Sequence, residues 1–260
     1  MNKVTFRMTD NKDPEERLEE AALWKALHDE YGDDISLTDD RPTFGRGKRN
    51  DAGNYLQYWT DPAFLSRANR EFRLCALRDA ESAVADLHSR GKGALIKSTQ
   101  EKYFIERFPV GSDFHEVMGA MAFSFCDRGP CLMVQEFVDM RYEHRFFCVD
   151  RKIVTDSPIA WHLTPLDYPL GMNACYRTPA ARHVEFMPDV VDGLRTLAEE
   201  AAAELASPTC SIDCAWIAGK PGIVELNPLA LGQIGLYACS VRALAKASRK
   251  MLPVCAEDAA

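Results

Sequence analysis

Three oxygen-bearing side chains near the C-terminal end carry the clearest chemistry of this chain: Asp213, Glu225 and Asn227. They lie on two short apolar runs, 211–217 and 223–228, joined through Gly219, Lys220, Pro221 and Gly222. Two such runs separated by turn residues read as a β-hairpin. Side chains alternate between the faces of a strand. Glu225 and Asn227 therefore share one face of the second strand, with Val224 and Leu226 on the other. On the first strand Asp213 faces away from Ile212, Cys214 and Trp216. With Asp213 across from Glu225, the three converge on one face above an apolar back. Two carboxylates and an amide oxygen are hard donors, suited to Mg2+ beside nucleotide phosphates and poor for thiophilic metals. The hairpin alone leaves an alternative open, in which Asp213 is a solvated edge residue and Glu225-x-Asn227 a strand end.

The elements that must position these groups are readable along the chain. Asp13-Pro14-Glu-Glu16 is a helix start, followed by apolar positions Leu18, Ala22, Ala26 and Leu27 and closed by Gly32. Asp61-Pro62 predicts another helix start, and a helix from Asp79 runs through Val84 and Leu87 to Gly91. Strands are expected at 94–98, 103–108, 131–138 and 143–149. The last of these turns at Asp150-Arg-Lys152 into Ile153–Thr155 as an antiparallel hairpin. A helical piece is expected over 113–125. Another helix carries Leu194, Leu197, Ala201 and Leu205, with Asp189 as its N-cap, and a final one carries Val241, Leu244 and Ala245. Hairpins and helices alternate without regular βαβ units, which favours antiparallel α+β over a doubly wound sheet.

Composition narrows the function class. The 260 residues suffice for one large domain or two small lobes, and nothing suggests repeats or disorder. A formal charge of -8 opposes non-specific nucleic-acid binding. No apolar run nears the ~20 residues that span a bilayer, and the first residues lack a secretory apolar region. The expectation is a cytoplasmic protein with no membrane or nucleic-acid partner. Nine cysteines without a C-x-x-C pair read as buried reduced thiols, and six histidines without H-E-x-x-H spacing give no zinc site.

Taken in order, Lys97, Val134-Gln-Glu136-Phe-Val138, Glu143-x-Arg145, Asp213 and Glu225-x-Asn227 resemble the ATP-grasp superfamily, over about residues 75–240. That superfamily includes D-alanine–D-alanine ligases and ribosomal-protein glutamate ligases. The resemblance implies two lobes whose antiparallel sheets clamp ATP. It implies a reduced helical N-terminal region over 1–74, a small lobe over 75–138 and a large C-terminal lobe over 139–260. Lys97 matches the strand lysine on the α- and β-phosphates, although a snorkelling edge lysine reads the same way. Glu136, Phe137 and Val138 match the hinge whose backbone meets the adenine edge. Glu143 matches the acid on the ribose hydroxyls, and Arg145 an arginine able to grip phosphate or carboxylate oxygens. A surface ion pair is the alternative for those two. Asp213, Glu225 and Asn227 match the Mg2+ ligands. The run Leu231-Gly232-Gln-Ile-Gly235-Leu-Tyr237 resembles the loop where acyl phosphate forms, with free N–H groups to stabilise an oxyanion.

Two departures stand out. No glycine follows Lys97 in Ser98-Thr-Gln-Glu-Lys102, where many members carry a glycine-rich loop. Arg70 and Arg73 stand near the usual second phosphate lysine, as in a divergent arginine-substituted clade of bacteria and phages. The implied activity is an ATP-dependent carboxylate–amine ligase using ATP and Mg2+, with Lys97 and Arg145 stabilising the transferred phosphoryl group. Its substrates would be a small-molecule or peptide carboxylate and an amine, and a homodimer is compatible with the acidic N-terminal helix. An ATP-binding assembly factor or chaperone with little turnover is the alternative.

Overall fold

The computed structural model describes residues 4–8, 14–38, 43–45, 58–99, 105–119, 132–159, 188–229 and 235–251. The chain divides into two compact units. One comprises Met1–Leu56, Arg141–Trp216 and Pro221–Ala260; the other comprises Gln57–Met140 with Ile217–Lys220.

The chain starts with strand β1 (Val4–Arg7), helix α1 (Pro14–Tyr31) and strands β2 (Ile35–Leu37) and β3 (Phe44–Gly45). They form a parallel sheet in the order β2-β1-β3, with Val4 opposite Ile35 and Phe6 opposite Phe44. The succession β1-α1-β2 is a βαβ crossover, which differs from the expected absence of such units. Strands of four and three residues are too short to display a readable period. Their apolar face, with Ala22, Ala26 and Leu27 of α1, shares one core with Phe147, Val149, Leu236 and Leu244. The N-terminal segment thus joins the body that carries the C-terminal strands. Leu18, expected on the buried stripe of α1, is only half-buried, while Glu19 and Glu20 are buried.

In the other unit, Asp61 caps α2 (Pro62–Leu65) by accepting the Ala63 N–H at 2.8 Å. Strand β4 (Phe72–Cys75), helix α3 (Leu77–Ser89), strands β5 (Gly93–Ser98) and β6 (Ile105–Phe108), helix α4 (Phe114–Met118) and strand β7 (Leu132–Phe137) follow. The antiparallel sheet runs β4-β7-β5-β6. Helix α3 starts two residues ahead of Asp79 and buries Ala80, Ala83, Val84 and Leu87. These pack with Ala94, Ile96, Phe108 and Val134 from one face of the sheet. By alternation Leu95, Lys97, Met133 and Gln135 share the opposite face.

The third sheet, in the first unit, holds β8 (Met140–Val149), β9 (Lys152–Pro158), β10 (Cys210–Ile217) and β11 (Lys220–Pro228), in the order β11-β10-β8-β9. Both hairpins turn through two residues of positive φ: Asp150 (51°) with Arg151 (61°), and Ala218 (49°) with Gly219 (85°). Positive φ at both central residues matches the right-handed twist of the flanking strands. The second turn is shorter than the expected 219–222, and Pro221 and Gly222 lie inside β11. As an edge strand β11 accommodates a proline without losing a central ladder bond. Helix α5 (Pro188–Glu204) contains Asp189 within its first turn instead of at its cap. Arg151 closes its other end, donating to the carbonyls of Ala202, Ala203 and Leu205 at 3.2, 3.1 and 2.9 Å. Helix α6 (Val241–Ser248) is capped by the Ser240 hydroxyl. Among the described residues no helix is long and apolar enough to cross a membrane.

Strand β8 presents two different faces to its surroundings. His144 and Phe146, with Asp156 opposite Phe146, share one face, and Arg195 of α5 joins them. His144 Nε2 and Asp156 Oδ2 lie 2.6 Å apart, and Arg195 donates to Asp156 Oδ1. Burial works to raise the Asp156 pKa, but the hydrogen bonds and charges of His144 and Arg195 win and hold it below the ordinary value. A depressed carboxylate stabilises the fold above its unfolded pKa of about 3.9, and that contribution fades as pH falls through the folded value. Asp156→Asn is therefore expected to lower unfolding free energy by about 1–3 kcal/mol at neutral pH. Urea titrations at stepped pH should show the gap from wild type narrowing below about pH 4.

Candidate functional site

The other face of β8 carries Arg145 and Phe147, with Ser157 opposite Arg145 and Thr155 opposite Phe147. Strand β10 lies between β8 and β11, so Asp213 in its middle is flanked from both sides. Its residues from Cys210 to Ala215 are all buried, and Asp213 is 1% exposed. The alternative of a solvated edge residue is thus excluded for Asp213. From β8, Arg145 donates Nε–H to Asp213 Oδ1 and Nη2–H to Oδ2, both at 2.7 Å. This planar fork matches both carboxylate oxygens at once. From β11, the Asn227 amide donates to Asp213 Oδ2 at 3.3 Å and to Glu225 Oε1 at 3.2 Å. The three residues singled out by spacing are therefore together, with Arg145 as their cation.

Burial works against the Arg145 charge, yet Asp213, by charge and by hydrogen bond, followed by Tyr237 and Glu225, raises its pKa above the ordinary value. Arg145 is permanently charged here. The cluster holds two carboxylates and one guanidinium. A carboxylate offers about four lone-pair positions, and those of Asp213 are used twice by Arg145 and once by Asn227. Rotating the Asn227 amide by half a turn replaces Nδ2 by Oδ1, and the donor becomes an oxygen ligand. Ser211, two residues before Asp213 and on the same face, has a buried hydroxyl with no partner among the described residues. This oxygen-rich set suits a hard divalent cation. Among the described residues no group of three or more His, Cys, Asp or Glu side chains is placed to hold a metal, so an Asn-completed set is the candidate. The adjacent Cys214 thiol is pushed well up by burial and by Asp213, which removes it as a nucleophile.

A loop after β11 closes the cluster. The Gly235 carbonyl accepts from Arg145 Nη1 at 3.1 Å, and the guanidinium lies 5.5 Å from the Tyr237 ring centroid. A Cβ on Gly235 would stand 2.4 Å from Tyr237 Cζ, so the ring and the glycine backbone are in a contact no other residue permits. Tyr237 has φ 48°, a left-handed conformation that costs a non-glycine residue about 1–2 kcal/mol. Three donors of this loop are bonded to side chains. Tyr237 N–H goes to Glu19 Oε1 at 2.7 Å, Ala238 N–H to Ser157 Oγ at 2.9 Å, and Ser240 N–H to Thr155 Oγ1 at 2.9 Å. The Tyr237 N–H is thus engaged, contrary to the expectation of a free oxyanion donor there, and the Ala238 N–H just beyond the expected run is engaged too, while 231–234 lie outside the described residues. Burial raises the Tyr237 pKa, with Asp213, Glu19 and Glu143 in the same sense against Arg145.

Glu143 lies two residues before Arg145 on the same strand and is exposed. In the second unit, Lys97 is buried on the sheet face opposite α3. Glu136 accepts from Lys92 at 3.3 Å, and its own N–H donates to the Glu71 carbonyl at 3.0 Å, so that N–H is committed within the unit. Phe137 is exposed, with the Arg107 guanidinium 5.4 Å from its ring centroid, and Val138 follows the strand half-buried. Arg70 donates to Gln135 at 2.8 Å and lies over the Phe72 ring at 4.5 Å, so it is anchored through a side chain on the Lys97 face. Lys102 lies outside the described residues. Glu19, Ser157, Thr155 and Gln135 were not legible as site residues. Glu19 is 218 positions from Tyr237, and no local pattern reports such a contact.

No protein-family model matches the chain, and no curated protein matches its sequence. Solved structures do match. A RimK domain ATP-grasp protein from Sphaerobacter thermophilus superposes with a TM-score of 0.54 at 14% identity, over 87% of this chain and 91% of that one. D-cycloserine synthetase DcsG gives 0.60 at 13% identity, over 95% and 99%. A D-alanine–D-alanine ligase from Bacillus anthracis, solved with ATP, gives 0.51 at 9% identity, over 95% and 90%. At such identities the shared property is the fold. Among the described residues two of the three sheets are antiparallel, so the α+β class expected from sequence is borne out, and the chain shares the ATP-grasp fold of these structures.

Proposed function

We propose that the chain is an ATP-dependent ligase that joins a carboxylate to an amine through an acyl phosphate. The observation that carries this reading is the convergence of Asp213, Glu225 and Asn227 on adjacent strands, with Arg145 beside them. It gains support from a fold shared with an ATP-bound D-alanine–D-alanine ligase and with D-cycloserine synthetase.

Asp213, Glu225 and Asn227 would hold Mg2+, which supplies charge neutralisation at the β- and γ-phosphates. Arg145 would stabilise negative charge on the transferred group while its fork keeps Asp213 oriented. Lys97, assigned by the resemblance to the α- and β-phosphates, would add a point charge. Glu143 is assigned to the ribose hydroxyls, and Glu136, Phe137 and Val138 to the adenine edge. A substrate carboxylate attacks the γ-phosphorus, the bond to the β-phosphate oxygen breaks, and ADP leaves. An amine then attacks the acyl carbon, and inorganic phosphate departs as the amide forms. No side-chain nucleophile takes part, in keeping with the inert Cys214.

Calorimetry is expected to show ATP uptake that requires Mg2+ and falls at least about tenfold in Glu225→Gln. Incubation with pools of amino acids and short peptides should release ADP and phosphate in equal amounts with an amide product. AMP and pyrophosphate would exclude the acyl-phosphate route, and tight uptake without product would favour an assembly factor. Arg145→Met separates the two tasks of Arg145. Leaving the buried Asp213 carboxylate without its guanidinium is expected to cost about 3–5 kcal/mol in urea unfolding. Adding Asp213→Leu should recover much of that stability while turnover stays absent.

A further inference from the structure

The N-terminal helix reaches the candidate site through one side chain. Glu19 of α1 is 7% exposed, an unusual position for a carboxylate, and its Oε1 accepts the Tyr237 N–H at 2.7 Å. A charged acceptor makes this a stronger bond than a neutral one would be. Tyr237 is the residue of the 235–240 loop that adopts positive φ, and its ring rests on the Gly235 backbone. Gly235 in turn presents its carbonyl to Arg145 Nη1. On the far side of Tyr237, Ser157 and Thr155 of β9 take the next loop donors, and both belong to the face that carries Arg145. The loop is therefore clasped between α1 and the third sheet, and the α1 clasp falls at its most strained residue.

We infer that Glu19 is a positioning residue that acts on Arg145 through the loop, so that α1 is part of the site's machinery. Its carboxylate fixes the turn at Tyr237, the turn fixes the Gly235 carbonyl, and that carbonyl fills the third nitrogen of the fork on Asp213. Neither Ser157 nor Thr155 can substitute, because each serves a different backbone N–H. The effect on turnover rests on the proposed ligase reading; the effect on Arg145 does not.

The test uses the full chain without nucleotide. The buried Arg145 Nε–H gives a slowly exchanging 15N-coupled resonance, assigned by its disappearance in Arg145→Lys. Glu19→Ala is expected to shift this resonance and make its exchange with solvent several-fold faster, whereas Glu19→Gln, which keeps an acceptor oxygen, stays much nearer to wild type. Should Glu19→Ala fail to fold, Glu19→Met, which keeps the stem, is read instead. Unchanged exchange in the Ala or Met variant, or equal loss in the Gln variant, overturns the inference. In a wild-type protein that turns over, kcat should fall about tenfold or more in Glu19→Ala, with the KM for ATP little altered. A kcat that does not move would also overturn it. A wild-type protein without turnover would sink the ligase reading alone, leaving the exchange result to decide the role of Glu19.

Discussion

The pairing of Arg145 with Asp213 is the constraint on which the arrangement around the third sheet depends. Both groups are buried, and removing two charges from water is expensive. A pair of apolar residues in the same volume would serve stability about as well or better. Stability alone therefore explains the ion pair poorly; on the proposed reading it is a charged scaffold for chemistry. Its geometry is also demanding: two parallel bonds of 2.7 Å fix the carboxylate plane, and with it the lone pairs left to Asn227.

Three stretches of the chain meet around Asp213. Strand β8 supplies Arg145, β11 supplies Asn227 and Glu225, and the following loop supplies the Gly235 carbonyl. Alternation lets β8 do this without compromise. His144, one residue away, points to the opposite face and joins Asp156 and Arg195 beneath α5. A single-residue slip in register would exchange the two faces and bring His144 to Asp213. The Phe147/Cys148 bulge lies beyond Arg145, so pairing is regular from His144 to Phe147, where the site needs it.

What was legible in the sequence follows from the range of the signals. The Asp213 and Glu225-x-Asn227 hairpin was readable because period-two alternation and turn residues are local, and the two strands are consecutive. The same holds for β5, β8, the α3 apolar stripe and the last helix through Val241, Leu244 and Ala245. The βαβ at the N-terminus was hidden because β1 and β2 are so short, and β4 because Phe72–Cys75 has a burial pattern without clear alternation. Pro221 and Gly222 misplaced the second turn, since their usual preference for turns is overridden on an edge strand. Nothing local separates Glu19 from the other acids of α1. Its bond to the Tyr237 N–H spans 218 positions, beyond the reach of any local pattern.

Charge gives the cluster its direction. Two carboxylates beside one guanidinium sum to a single negative charge, and around the buried Asp213 and Arg145 electrostatic interactions are less screened than in water. On the proposed reading a divalent cation reverses that sign, and the site then attracts polyphosphate instead of repelling it. Without Arg145 the three ligands would bind a bare cation more strongly and end near neutrality, with little pull on a nucleotide. With it, cation and phosphates are each favoured by the presence of the other, which is a thermodynamic coupling built from one side chain. Glu19 bears on the same balance from further away. Its carboxylate accepts the Tyr237 N–H, so it bears on the cluster by steering the loop.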